Sequence, residues 1–509
     1  MQRTLTRVSH QPNVPGQGII ASYGARFWAL VLAIGVSAGL AGAALMELLR
    51  AVERLAWPGA GGLAGGGGLA AGGGPAGGRG ASGGASFIDA VRHATAARHL
   101  LVLALAGLIA GAGVLLIRRF SRRDRCPAET TEALWLHDGV LRLPASLARG
   151  VVSIVTVGLG ASLGREGAPQ LAGAALASRG AAWAGLPQWQ RRLLVACGAG
   201  AGMAAVYNVP LGGALFALEV LLGTFALPLV LPALATSLTA TAVAWIVLPT
   251  HAVYRLPHIQ PTASQVVWAA LIGPLAGVAA VLWVRLIDRA TRLRPTATRA
   301  RLLVPVAAFT ALGAISLTCP QLLGNGIEIV QGSLLGQLSL GLLAVLLVLK
   351  PLATAACLGS GAPGGLFTPT LAYGVLLGAL AGRLWSLAWP GGATGGYALV
   401  GGAAVLAAAM QGPLAAIVLT FELTRASEAL MVPLLLAVVG ATVVARLLRA
   451  DSIYSARLPA YAARDAAKAG VAGHAAEAVA DGAGAALTPP PAPRPPAPRA
   501  GRPPLAPAG

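Results

Sequence analysis

Charge is what this sequence has least of. Only 11% of its 509 residues are Asp, Glu, Lys or Arg, where a soluble chain carries roughly 25%. With 56% hydrophobic residues and a mean hydropathy of +0.73, that deficit excludes a disordered chain, a collagen, a coiled coil and an ordinary cytosolic enzyme. Cysteine is scarce as well. Cys126, Cys197, Cys319 and Cys357 lie far apart and form no CxxC pair, which argues against a disulfide framework and against a zinc site. Histidines are few and none sits at helical metal-ligand spacing, so no metal or other cofactor is expected. What is abundant is long apolar sequence, and the class that follows is an all-α polytopic membrane protein.

The charges that do occur are lopsided, 37 Lys and Arg against 17 Asp and Glu, for a net +20. The arginines fall between apolar stretches, where they set topology rather than bind nucleic acid. Residues 1–25 are polar, carry Arg3 and Arg7, and lack the short apolar core and small-residue cleavage site of a signal peptide. A first span is expected from Phe27 to about Leu49 and a second from about His99 to Ile117. Arg118, Arg119, Arg122, Arg123 and Arg125 follow the second span. By the positive-inside rule that cluster and the N-terminus are cytoplasmic, and the Gly-rich loop 58–86 faces outward. Residues 459–509, Ala-rich and then Pro-rich, read as a disordered cytoplasmic tail.

Several later apolar stretches are too short, or too interrupted by Gly and Pro, to cross a bilayer as one helix. Such breaks are tolerated at membrane depth only where the backbone is buried or lines a cavity. An internal repeat runs through them: CGAGAGMAAVYNVPLGGALFALEV (197–220) matches LVGGAAVLAAAMQGPLAAIVLTFELT (399–424). Gly198 pairs with Gly401, Pro210 with Pro413 and Glu219 with Glu422, each 203 residues apart. Upstream of each copy is a Gly-rich break, GREGAP at 164–169 and GGLFTP at 364–369. Two halves broken at corresponding positions point to a transport site at their interface.

The chemistry centres on these breaks. Gly164 and Gly167 let backbone approach a bound species and open a helix, whose free N–H groups make an anion site. Glu166 lies inside that site. A carboxylate at membrane depth is costly and functional by default; ionised, it occupies the anion's place, and protonated or swung aside it admits an anion. Two readings of Arg165 stand together here, an anion-site cation or a buried ion pair with Glu166. GLGASLG at 158–164 brushes against a dinucleotide fingerprint, but no strand or βαβ unit accompanies it. In the second break Gly364 and Gly365 expose the N–H groups of Leu366 and Phe367, and Pro369 suits an early helical position. Glu219 and Glu422 occupy equivalent positions near helix ends, where packing or an interface between copies is the plainer role. Tyr454 suits either a pore mouth or an interfacial aromatic.

GREGAP, AAVYNVPLGGALFALE, SGAPGGLFTP, GPLAAIVLTFELT and IYSA, in that order over roughly 27–458, resemble the CLC family of chloride channels and proton/chloride antiporters. The resemblance implies two inverted-topology repeats of tilted and broken helices over 26–458, a homodimer and one anion pathway per subunit. It makes Glu166 the gating glutamate, Leu366 and Phe367 backbone anion ligands and Tyr454 the central tyrosine. Two departures stand out. The segment that supplies a serine to the central anion reads RDRCPAETTEAL here, placing Asp124 near the serine position. The inward-facing glutamate of the antiporters, just after the one matched by Glu219, is Val220, which weakens the case for proton coupling unless Glu219 or water substitutes.

The expected function is therefore gated, channel-like chloride transport in a bacterial inner membrane. The alternatives are a proton-coupled antiporter, a fluoride or nitrate variant, and a relative that has lost transport. An enzyme using Glu166 as a base finds no HExxH and no partnered nucleophile in support.

Overall fold

The computed structural model describes residues 23–59, 86–120, 127, 129–426 and 428–458. The N-terminal segment, nearly all of the Gly-rich loop, Asp124 with the adjacent Arg122, Arg123 and Arg125, and the tail from 459 lie outside the described residues. Among the described residues the regular structure is helical, and eight helices are long and apolar enough to cross a membrane. The first two, Ala25–Ala56 and Ala96–Phe120, run past the apolar limits expected for them. Hydropathy marks where the bilayer ends, whereas the helix ends where its local pairing ends. In the first, Arg50 pairs with Glu47 and Arg54 donates to the Arg50 carbonyl, which carries the helix beyond its apolar part.

Other apolar helices are too short to span: Leu143–Gly158, Thr394–Met410, Pro413–Thr424 and the Pro210–Leu215 helix, which continues as a π-helical segment over Phe216–Leu222. Of these, Thr394–Met410 is buried along nearly its whole length, while large apolar side chains such as Leu271, Leu282 and Val348 on the long helices are left on the outside. That distribution suits hydrocarbon as the surrounding solvent, because lipid tails do not drive leucines inward.

The two halves are inverted repeats of one another, and the repeat extends to backbone conformation. The Gln188–Tyr207 helix ends at Asn208 with φ 56°, and the Thr394–Met410 helix ends at Gln411 with φ 57°. Both are left-handed C-caps on non-glycine residues, 203 positions apart, and each is followed by a proline-initiated helix.

The repeated glycines have a packing cause. A Cβ on Gly198 would collide with the carbonyl of Gly173, and one on Gly401 with the backbone of Gly374 and Gly378. In each half, then, the helix after the break lies backbone to backbone on the next one, as small residues allow in membranes. At Gly401 the nearest atoms opposing the added carbon are all backbone, so nothing flexible can give way. Gly401→Ala should destabilise the fold by about 1–3 kcal/mol, read as a lower melting temperature of the purified protein in detergent. An unchanged melting temperature would show that these helices separate without cost.

Candidate functional site

The two breaks cross each other. Gly164 N–H donates to the Gly365 carbonyl and Gly365 N–H to the Gly164 carbonyl, both at 2.8 Å, in an isolated antiparallel bridge. Antiparallel pairing of equivalent segments is what inverted halves require at their axis. From the bridge one chain enters the Gly167–Trp183 helix and the other the Phe367–Ala388 helix, so two helix N-termini converge. Each brings unpaired N–H groups and the positive end of its dipole.

Glu166, 1% exposed, fills the space between them. Its carboxylate Oε1 accepts from Phe367 N–H at 2.6 Å, and Oε2 accepts from the Tyr207 hydroxyl at 3.1 Å and the Thr368 hydroxyl at 3.2 Å. The side chain thus leaves its own helix start to be held by the start of the other. Glycine leaves room for it: in this conformation a Cβ on Gly164 or Gly365 would run into the Glu166 carboxylate. Arg165, also buried, stacks its guanidinium 5.0 Å from the centre of the Tyr207 ring.

Two cavities lie beside the residues that flank Glu166 in the chain. One of about 80 Å³ is lined by Gly167, Gly364, Tyr454, Arg149, Arg294 and Arg457 among others, large enough for an anion with water at about 30 Å³ per molecule. Thr130, Thr131 and Ser153 add hydroxyl-bearing residues to its wall. The other, about 30 Å³, is lined by Arg165, Tyr207, Asn208 and His251 with apolar neighbours. Arg165 therefore faces one cavity and Gly167 the other, and the chain passes between them through Glu166.

The mouth of the larger cavity is tied together by Arg457, which pairs with Glu129 at 2.6 Å and donates to the Gly364 carbonyl at 3.0 Å. Tyr454 is buried in the same wall, edge-on to Phe216 with ring centres 5.6 Å apart. The structure thus brings Gly164, Arg165, Glu166, Gly167, Gly365, Leu366 and Phe367 to one point and puts Tyr454 at the adjoining cavity. Asp124, which would adjoin it by sequence, lies outside the described residues.

Glu219 and Val220 are elsewhere. Neither lines these two cavities. The Glu219 carboxylate accepts from Leu414 N–H at 3.2 Å and Ala415 N–H at 2.5 Å, and the Glu422 carboxylate accepts from Leu211 N–H at 3.1 Å and Gly212 N–H at 2.6 Å. Each half caps a helix of the other. Val220 packs against Gly412.

Three residues at the site carried no earlier expectation. Tyr207 and Thr368 are the hydroxyl partners of Glu166. Lys350, 1% exposed in the Leu340–Gly359 helix, donates to the carbonyls of Leu322 at 2.9 Å and Gly324 at 2.8 Å. Gly324 N–H in turn holds the Gly160 carbonyl at 3.0 Å, just before the first break. The stretch GASLG also has the spacing of a nucleophile elbow. Its Ser162 hydroxyl lies 3.2 Å from the Thr354 hydroxyl, with no histidine as partner among the described residues.

Inverted halves, crossed breaks and helix starts converging on a buried point between two cavities define a membrane transport protein. Comparison with known proteins specifies which kind. Residues 106–446 match the family model described as voltage gated chloride channel. The ClcB-like protein of Ralstonia nicotianae is 38% identical over 369 residues, 70% of this chain and 83% of that one. The voltage-gated ClC-type chloride channel ClcB of Citrobacter koseri is 36% identical over 361 residues, 69% and 85% of the two chains. The chain belongs to the CLC family of chloride transport proteins, a family of channels and transporters rather than of enzymes.

A slow cyanobacterial Cl−/H+ antiporter shares the fold with a TM-score of 0.70 at 22% identity, covering 87% of this chain and 99% of its own. A CLC-type fluoride/proton antiporter does so with a TM-score of 0.66 at 20% identity, covering 85% and 97%.

Proposed function

We propose that this chain is a gated, channel-like chloride pathway in a bacterial inner membrane, closed by the Glu166 carboxylate. The observation that carries the reading is that Glu166 occupies the donors at the start of the Phe367–Ala388 helix, where the two helix starts meet, with a cavity beside each of its chain neighbours Arg165 and Gly167. Those donors suit an anion, and the carboxylate is the anion that holds them in this conformation. Gly164, Gly167 and Gly365 admit the backbone to the ion, Leu366 and Phe367 offer N–H groups, and Arg165 adds positive potential on the side of the smaller cavity. Tyr454 offers its hydroxyl to the larger cavity, which opens to the cytoplasm with both termini on that side. Arg149, Arg294 and Arg457 raise the local anion concentration there. The subunits pair as homodimers, each with its own path.

Uncoupled conduction is favoured over proton exchange because Val220 cannot carry a proton and the Glu219 carboxylate is spent on two backbone N–H groups. Liposomes loaded with chloride, recorded for chloride efflux and external pH together, test this. Efflux should require a potassium ionophore and move no protons. Protons moving opposite to chloride at a fixed ratio would make the protein an antiporter. Flux of fluoride or nitrate without chloride would reassign the substrate.

A further inference from the structure

Tyr207 and Thr368 are placed for more than holding Glu166. Their oxygens are 2.6 Å apart, both within 3.2 Å of the Glu166 Oε2, and both residues are buried, 1% exposed or less. Thr368 follows Phe367, whose N–H holds Oε1, so three donors from two elements surround one carboxylate. A hydroxyl pair buried this deep in a membrane protein is costly unless its protons are used. With Glu166 in place, both O–H groups lie within hydrogen-bond reach of Oε2 and of each other. The donors stay when the carboxylate leaves, because Tyr207 is fixed by its ring and Thr368 by its helix. The ring lies 5.7 Å from Phe367 on one side and under the Arg165 guanidinium on the other. A cation over the face of a phenol also draws charge from the ring and makes its O–H a stronger donor.

We infer that the Tyr207 and Thr368 hydroxyls are side-chain ligands of the transported anion, taking over at the position that the Glu166 carboxylate vacates. This rests on the reading of Glu166 as the gate and deepens it: the anion would be held by two O–H groups as well as by backbone N–H. A small anion has no protons of its own to place and no fixed acceptor directions, so both hydroxyls can turn to it. Such a site favours compact halides over larger, softer anions, whose charge is spread too thinly to reward two hydroxyl donors.

The test removes the gate first. Purified Glu166→Ala is titrated with chloride by calorimetry, and the titration is repeated with Tyr207→Phe and Thr368→Val added. Both added changes keep shape and delete only a hydroxyl. The chloride Kd should rise tenfold or more on adding both, a loss of about 1.4 kcal/mol, the order expected for hydrogen bonds to a charged group. Equal Kd values, in proteins of matching melting temperature, would overturn the inference and leave the hydroxyls as holders of Glu166 alone. Absence of chloride binding in Glu166→Ala itself would instead overturn the gate reading on which the inference stands.

Discussion

Glu166→Ala should conduct chloride at neutral pH tenfold or more faster than the parent, and its flux should not change between pH 5 and 8. In the closed conformation the carboxylate charge is what the Phe367 N–H and the two hydroxyls hold. Hydrogen bonds to a charged acceptor are worth about 1.5–3 kcal/mol each, roughly twice their neutral counterparts. Protonation at the carboxylate therefore weakens each contact and lets the neutral side chain leave, so flux through the parent should rise as pH falls. Deleting the side chain removes both the plug and the titrating group. Glu166→Gln keeps the plug's size without its charge and should conduct at an intermediate rate with the same flat profile. Reconstituted flux of the three proteins across that pH range decides the matter: a Glu166→Ala protein that still follows the parent's profile would place the gate elsewhere.

How much of this was legible beforehand varies with the kind of interaction. The two breaks and the repeat were readable because glycine and proline punctuate a chain in any environment, and because Gly198, Pro210 and Glu219 recur with a constant spacing. The convergence of Glu166 with Leu366 and Phe367 followed from pairing those breaks. The hydroxyls did not. Tyr207 stands in AAVYNVP and Thr368 in GGLFTP, and each taken alone reads as a core or helix-start residue. Their meaning comes only from a contact between segments 161 residues apart. Lys350 is legible in the sequence alone: one cation in the otherwise apolar LGLLAVLLVLKPLATAACLG is a signal by itself. Helix lengths were underestimated for the opposite reason, since hydropathy is silent about the charged turns that prolong Ala25–Ala56. Glu219 and Glu422 were recognised as equivalent, but equivalence does not say what each one touches.

What they touch makes them the second large prediction. Glu219→Ala and Glu422→Ala should each destabilise the protein by about 1–3 kcal/mol, and by similar amounts. The Pro210 and Pro413 helices begin on proline, and the residues preceding them, Val209 and Gly412, have no side chain able to cap. Their second and third N–H groups are therefore orphans that only a side chain from elsewhere can satisfy. Each helix receives a carboxylate from the far half, on matching atoms at nearly matching distances: 3.1 and 2.6 Å in one, 3.2 and 2.5 Å in the other. Removing one carboxylate strands two donors, of which the part-buried second costs about 1–3 kcal/mol and the exposed first adds little. Because the caps cross between halves, the loss falls on the junction of the repeats rather than on either helix alone. Thermal melting of the two variants in detergent should show comparable drops, while flux per folded protein and its lack of proton movement stay as in the parent. A large fall for one variant with none for the other would break the symmetry. A change in proton movement in Glu219→Ala would return that carboxylate to the transport path.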